Sequence, residues 1–128
     1  MNFHQQLDIL REAIRNFPLT PNQVEITLKT KLNSVKFKPL FSNGGVAPLP
    51  NSRYDILLND TLKGKEIRRV FVHELVHVHY SEVSPVPRDE EEYESLEGLI
   101  KPETHRFLQA HPDYISQLEQ RYLLLPNI

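Results

Sequence analysis

The sequence predicts an α+β fold, in which a small antiparallel sheet of about three strands packs against several helices. Apolar residues near both ends of the chain recur every three or four positions, which is the spacing of one helix face. Short segments between residues 23 and 59 alternate apolar and polar side chains, as half-buried strands do. Because the strands precede most of the helices and do not alternate with them, this order favours the α+β class.

The length and composition predict one domain over residues 1–128. A chain of 128 residues, with 39% hydrophobic and 25% charged residues, can bury a core without covalent crosslinks. The net charge of −2 gives no reason to expect binding to nucleic acid or to an anionic membrane. No apolar run approaches the roughly 18 residues of a membrane span. The N-terminus also lacks a signal pattern, so we expect a cytoplasmic protein.

The first half of the chain is predicted to contain one helix and three strands. Apolar residues from Phe3 to Phe17 share one helix face, which predicts a helix over residues 2–17 that ends before Pro18. Alternating apolar residues predict strands over residues 24–29 and 35–38, and the segment YDILLN predicts a third strand over residues 54–59. The segment between the last two strands, FSNGGVAPLPNS, is rich in glycine and proline and is predicted to form a loop.

The second half of the chain is predicted to be helical. A helix over about residues 62–80, capped by Asp60 or Thr61, is apolar nearly all round, which predicts a position in the middle of the molecule. A loop over residues 81–92 follows, and its acidic end suits the first turn of a helix. Further helices are predicted over about residues 90–125, with a kink or restart at Pro102.

The predicted central helix carries the sequence HELVHVH, which contains His73, Glu74, His77 and His79. His73 and His77 are four residues apart and stack on one helix face, so they can offer two imidazoles to one ion. Glu74 lies beside them, where it can hold and deprotonate a metal-bound water. His79 lies about 200° round the helix from His77, so we predict that it is not a ligand. The alternative is that both histidines bond to backbone carbonyls and that Glu74 points to water.

The predicted metal is Zn²⁺, bound without cysteine. The chain has no cysteine, which leaves imidazole and carboxylate ligands. A catalytic zinc site usually has three protein ligands, and the acidic C-terminal helix can supply the third. Glu103 lies roughly 50° from the centre of the apolar stripe of that helix, and Glu97 lies roughly 70° away on the other side. A glutamate on a core face needs a partner, so Glu103 is the predicted third ligand and Glu97 is the reserve.

Two segments resemble the ImmA/IrrE group of metallopeptidase-like domains. The segment YDILLNDTLKGKEIRRVFVHELVHVHY resembles the strand, helix start and H-E-x-x-H motif of that group, and ETHRFL resembles its downstream Glu-Ala-Asn-x-Phe-Ala segment. The resemblance covers roughly residues 54–110 and implies a zincin-like helical core. By position, it implies that His73 and His77 are ligands, that Glu74 is the catalytic carboxylate and that Glu103 is the third ligand.

The predicted function is that of a zinc-dependent endopeptidase acting on a protein or peptide substrate. Members of this family often accompany helix-turn-helix regulators, some of which they cleave, so the resemblance implies a separate regulator as a partner. The alternative is a catalytically weak or inactive module that keeps the metallopeptidase fold and binds or regulates another protein. The presence of Glu74 favours the enzyme, because a purely structural site would not need this base. The predicted strand over residues 54–59 is a candidate sheet edge for binding an extended peptide, unless it is fully paired within the sheet.

Overall fold

The computed structural model describes residues 1–123, which form five helices and a three-stranded sheet. The elements are α1 (Phe3–Asn16), α2 (Pro21–Thr30), β1 (Leu32–Lys38), β2 (Gly44–Pro48), β3 (Tyr54–Asn59), α3 (Lys65–His79), α4 (Glu90–Ala110) and α5 (Pro112–Tyr122). This arrangement confirms the predicted α+β class. The predicted end of the last helix, at residues 124 and 125, lies outside the described residues.

The sheet is mixed, whereas an antiparallel sheet was predicted. Its strand order is β1-β3-β2, and β3 is parallel to β1 and antiparallel to β2. The chain places β2 at the outer position and then returns to insert β3 between the first two strands, which makes β1 and β3 parallel. Since β3 is paired on both sides, the prediction that residues 54–59 form a sheet edge is wrong, and the fully paired alternative is confirmed.

Residues 24–29 belong to α2, and their prediction as a strand is wrong. The Thr20 side chain accepts a hydrogen bond from the Gln23 backbone, and the Gln23 side chain accepts one from the Thr20 backbone. This capping box, with Pro21 at the first helical position, is a strong start signal for a helix. Ile26, which a half-buried strand would cover, is 62% exposed. The apparent alternation is therefore a coincidence within a helical pattern.

The predicted glycine-rich loop contains the edge strand β2. A proline is tolerated on an edge strand because its missing N–H can face away from the neighbouring strand, and Pro48 ends β2 opposite Tyr54. Gly44 begins the strand where the backbone comes very close to α3. A Cβ atom at this position would lie 2.6 Å from Val70 Cγ1 and 3.0 Å from the Leu57 carbonyl oxygen. The glycine thus allows β2 to pack directly on α3.

Helix α3 lies in the middle of the molecule, as predicted, between the sheet and α4. It begins later than predicted and is capped by neither Asp60 nor Thr61. Instead, Asn59 Oδ1 accepts hydrogen bonds from the backbone and the hydroxyl of Thr61, which holds these residues in a turn. The helix begins after Gly64, whose φ of 58° lies in the left-handed region that glycine adopts readily.

Helix α4 continues through Pro102 from Glu90 to Ala110, so the predicted restart does not occur. Proline removes one backbone hydrogen bond to the residue four positions earlier, which is Gly98. Both Pro102 and Gly98 are exposed, so water can reach the carbonyl that loses its donor. Within residues 1–123, no helix has the length and the apolar character needed to cross a membrane.

Candidate metal centre

His73, His77 and Glu97 bring three potential ligand atoms within 4.8 Å of one another. His73 Nε2 lies 2.8 Å from Glu97 Oε2, and His77 Nε2 lies 2.8 Å from Glu97 Oε1. The two imidazoles are one helical turn apart on α3, with ring centroids 5.0 Å apart. Because α4 packs against this face of α3, the Glu97 carboxylate reaches both rings. We call these three residues the His–His–Glu cluster.

Glu97 is the buried member of the His–His–Glu cluster, with an exposed fraction of 4%. Burial alone would raise the pKa of its carboxyl group, but the imidazoles of His73 and His77 outweigh burial and lower the pKa to about 2. Its Oε1 accepts a hydrogen bond from His77, and its Oε2 lies 2.8 Å from His73 Nε2 without good hydrogen-bond geometry. A buried carboxylate is costly unless its charge is compensated, and a cation between the three side chains would compensate it.

The donor set of the His–His–Glu cluster fits zinc. Two imidazole nitrogens and one carboxylate oxygen make up one common set of protein ligands in catalytic zinc sites, which keep the fourth position open. With zinc–ligand bonds of about 2.0–2.1 Å, the ligand atoms of a tetrahedral site lie about 3.3 Å apart. The two His–Glu contacts of 2.8 Å are shorter than this distance and all ligand atoms lie within 4.8 Å of one another, so small side-chain shifts would match it. His73 and His77 are only half-buried, which leaves room for such shifts.

Glu74 lies next to the His–His–Glu cluster, with only 8% of its surface exposed. It lines the same cavity as His73 and Glu97, and a Cβ atom on Gly44 would lie 3.1 Å from its Oε2. Burial raises the pKa of the Glu74 carboxyl group, and the nearby His77 and His73 offset only part of the rise. A carboxylate whose pKa is raised accepts a proton from water more readily near neutral pH.

Glu103, the predicted third ligand, lies outside the cluster that contains His73 and His77, so the structure corrects its predicted position. Its carboxylate accepts hydrogen bonds from Arg106 Nε at 2.6 Å and from the Leu19 backbone N–H at 2.7 Å. The Tyr80 hydroxyl donates a weaker bond at 3.5 Å. The reserve candidate, Glu97, takes the position beside His73 and His77.

The angle between the two glutamates explains the correction. Six residues separate Glu97 from Glu103, which places them about 120° apart around the helix. The buried arc of α4 is wide enough to contact two neighbours, α3 on one flank and α1 on the other. The helical angle correctly indicated that both carboxylates point inward, but it carried no information on which flank faces α3.

The residues just beyond the H-E-x-x-H motif point away from the cluster. His79 Nδ1 shares a hydrogen bond of 2.8 Å with Thr27 Oγ1 on α2, and His79 lies outside the cluster, as predicted. Burial, followed by the charge of Lys31, lowers the pKa of His79 to about 4. The Tyr80 hydroxyl donates to the Phe17 carbonyl oxygen at 3.1 Å, on the side of α3 that faces the N-terminal helices.

The cluster opens on a cavity of about 510 Å³, which is formed by the start of β2, the first half of α3 and the side of α4 between Tyr93 and Leu108. Among the polar residues in its wall that sequence reasoning missed are Arg69, Tyr93 and Lys101. Each lies four residues from His73 or Glu97 on the same helix. Since residues four positions apart share a helix face, this spacing is the signal that could have found them once the cluster was known.

Comparisons of the chain with protein-family models, with curated proteins and with solved structures find no match. The resemblance to the ImmA/IrrE group therefore depends on the motif and its flanking residues. The geometry supports a coarser statement, which is that the His–His–Glu cluster has the composition and spacing to hold a metal ion.

Proposed function

We propose that the protein is a zinc-dependent endopeptidase, similar in its chemistry to the ImmA/IrrE group. The observation that supports this function best is the convergence of His73, His77 and Glu97 beside a cavity that Glu74 also lines. A purely structural ion would need the three ligands of the cluster. It would not need a second, largely buried carboxylate at the cavity wall, which is costly unless it has a use.

The residues of the site have two different roles in the proposed reaction, metal binding and proton transfer. His73, His77 and Glu97 would hold Zn²⁺, which lowers the pKa of water and polarises a carbonyl group. Glu74 orients a water molecule and accepts its proton as the water oxygen attacks the peptide carbonyl carbon. It then gives this proton to the leaving amine and returns to its carboxylate form. Burial, which raises the pKa of Glu74, favours its role in both proton transfers.

The edge strand β2 supports an extended peptide as the substrate. Within residues 1–123, β2 pairs only with β3, so its other edge is free, and Gly44 at its start lines the cavity. A peptide added along this edge would form backbone hydrogen bonds with β2 and pass the site. The proposed docking strand is therefore Gly44–Pro48 in place of residues 54–59. The family resemblance adds a separate helix-turn-helix regulator as a candidate substrate.

The second candidate function is a binding or regulatory module with little or no catalysis. One observation favours it, which is the direct hydrogen bond of 2.8 Å between His77 Nε2 and Glu97 Oε1. This bond gives His77 and one oxygen of Glu97 a hydrogen-bond partner without an ion. A module of this kind would bind its partner equally well after Glu74 is replaced.

The substitution Glu74→Gln separates the two functions. We expect the zinc-loaded wild type to cleave fluorescently labelled casein and the variant to cleave it at least about 100-fold more slowly, because general base catalysis typically contributes this much. Both proteins should bind zinc with similar affinity, as measured by calorimetric titration. Glu66→Gln is the matched control, since Glu66 is exposed on the same helix, and it should cleave like the wild type.

Two results would contradict the proposal that the protein is an endopeptidase. The first is casein cleavage by the zinc-loaded wild type that is no faster than cleavage by Glu74→Gln. The second is equal loss of cleavage in Glu66→Gln and Glu74→Gln, which would mean that the effect is not specific to the site. The first result, with zinc bound to both proteins, would favour the binding module.

A further inference from the structure

Two cationic side chains, Arg69 and Lys101, line the same cavity as His73 and Glu97 of the His–His–Glu cluster. Arg69 lies on α3 one turn before His73, and Lys101 lies on α4 one turn after Glu97. Since residues four positions apart share a helix face, each cation is on the same side of its helix as a member of the cluster. Both residues are exposed, so a ligand in the cavity can reach them.

Arg69 differs from the other seven arginines of the chain in having no partner within residues 1–123. Six of the others form ion pairs with carboxylates, namely Arg11, Arg15, Arg68, Arg88, Arg106 and Arg121. The seventh, Arg53, donates to the backbone carbonyls of Leu32 and Lys29. Guanidinium has five donors in a planar arrangement that matches a carboxylate, so Arg69 is available to bind one from a ligand.

The balance of charge favours an anionic ligand once zinc is bound, a premise that rests on the proposed function. The carboxylates in the cavity wall belong to Glu74 and Glu97, and the two charges of Zn²⁺ offset them. The positive charges of Arg69 and Lys101 then have no remaining counter-charge among the residues that line the cavity. A cleft with excess charge of one sign attracts ligands of the other sign, because its low-dielectric walls concentrate the field.

We propose that Arg69 and Lys101 bind a carboxylate group of the substrate, so that the protein selects acidic peptides. This proposal adds a substrate class to the peptidase proposed above. The cavity of about 510 Å³ is large enough for several atoms of a peptide beside the cluster. The carboxylate can come from an Asp or Glu side chain or from the C-terminus of the peptide, and the experiment distinguishes these sources.

The test measures the binding of fluorescein-labelled decapeptides to the zinc-loaded Glu74→Gln variant by fluorescence anisotropy. Two pools have random sequences and differ only in a central Glu or Gln, and each pool is made with a free or an amidated C-terminus. We expect the preferred carboxylate, at the centre or at the C-terminus, to tighten binding about tenfold, which is within the range of one charge-assisted contact. In the background of Arg69→Gln with Lys101→Gln, this preference should fall below about twofold.

Charge reversal and a matched control complete the test. Arg69→Glu with Lys101→Glu should reverse the preference, so that a pool with a central Lys binds best. Lys65→Gln removes a positive charge from an exposed position of α3 outside the cavity wall, and it should keep the preference of the parent protein. Circular dichroism of each variant checks that the fold is intact, as expected for exposed side chains.

Three results would overturn the proposal. The first is equal binding of the acidic and the amide peptides by the parent protein. The second is a preference for the carboxylate that survives the double substitution. The third is a loss of this preference in Lys65→Gln that is as large as in the double variant. The measurement does not depend on turnover, because it uses the Glu74→Gln protein. A failure of casein cleavage by the wild type would therefore contradict the proposed function without deciding the result of the peptide-binding assay.

Discussion

At the scale of single residues, Glu97 and Glu103 show two ways in which a carboxylate is accommodated in the interior. Their exposed fractions are 4% and 3%, so both are shielded from water. Glu103 is surrounded by donors from Arg106, Leu19 and Tyr80, which satisfy it without an ion. Glu97 has two imidazoles beside it, and one of its oxygens lacks a hydrogen-bond partner. The neighbours of each carboxylate therefore place Glu103 in a hydrogen-bond network of the fold and Glu97 in the candidate metal centre.

Replacing Glu103 with Gln should lower the free energy of unfolding by about 2 kcal/mol. The amide cannot offer a charged partner to both Arg106 and the Leu19 N–H. Part of the loss is relieved by water, because the Arg106 side chain is 40% exposed. Urea denaturation measures the change. Glu94→Gln, at an exposed position of the same helix, should stay within about 0.5 kcal/mol of the wild type. If Glu103→Gln lowers the free energy of unfolding no more than Glu94→Gln does, Glu103 does not stabilise the fold.

At the scale of the elements, β2 packs closely on α3 beside Glu74. The backbone of β2 approaches Val70 and Glu74 at Gly44, where an added Cβ atom would lie 2.6 Å from Val70 Cγ1. Gly45, the next residue in the strand, has no atom within 4 Å of the same position. The two adjacent glycines therefore differ in their environment although they belong to the same strand, and they make a matched pair.

Gly44→Ala should destabilise the protein by about 1–3 kcal/mol, because the methyl group forces β2 away from α3. Gly45→Ala should change the free energy of unfolding by less than about 0.5 kcal/mol. Urea denaturation of both variants and the wild type gives the comparison. Equal effects of the two substitutions would mean that the close packing of β2 on α3 is incorrect.

The start of β1 depends on Asp55 of the neighbouring strand β3. The pairing of these strands shifts register between Leu32 and Ser34. At this irregularity, Asp55 Oδ1 accepts hydrogen bonds from the side chains of Asn33 and Ser34, and Lys36 Nζ lies 3.1 Å from Oδ2. The bonds from Asn33 and Ser34, with a smaller effect of Lys36, lower the pKa of Asp55 from 3.8 to about 2.

Asp55 should make the stability of the fold depend on pH in the acid range. Because its pKa is lower in the folded state, its stabilisation is fully present above the unfolded value of 3.8 and is lost as the pH falls towards 2. We expect the wild type to lose about 1–2 kcal/mol more than Asp55→Asn between pH 5 and pH 2.5. Urea denaturation at the two pH values measures this difference. An equal loss of stability in both proteins between the two pH values would contradict the proposed contribution of ionised Asp55 to the stability of the fold.

The elements that the sequence predicted correctly are those whose local pattern has one interpretation. Five apolar positions at helical spacing predicted α1, and the largely apolar segment YDILLN predicted β3 at its observed limits. In α2, which has only ten residues, the apolar residues fit both the period of a helix and the period of a strand. The capping box that begins at Thr20 is the signal that identifies the segment as a helix. In β2, the glycines and Pro48 suggested a loop, because the close approach to α3 that requires Gly44 is a tertiary property.

The candidate metal centre was predictable only in part, for a related reason. The two histidines and Glu74 lie within one helical turn, so local geometry brings them together in any fold that keeps α3 helical. The third carboxylate comes from a different helix, and its identity depends on how α4 docks against α3 and α1. Helical angles reduced the choice to Glu97 and Glu103 and favoured Glu103, because they do not show which flank of α4 faces α3.

At the scale of the whole molecule, the fold places a central helix where three parts of the chain meet. The sheet covers one side of α3, and α4 covers another. The cavity lies where the start of β2 and the side of α4 both border α3, so a ligand there contacts residues that are far apart in the sequence. An ion in the His–His–Glu cluster would link α3 to α4 directly, and its binding would depend on the assembled fold.

The most direct test of this account is a calorimetric titration of zinc into metal-free wild type, Glu97→Gln and Glu103→Gln. The wild type should bind one zinc ion per chain, Glu97→Gln should bind at least about 100-fold more weakly, and Glu103→Gln should bind like the wild type. Weak binding by Glu103→Gln with normal binding by Glu97→Gln would contradict the assignment of the third ligand. The absence of zinc binding by the wild type would contradict the metal centre itself.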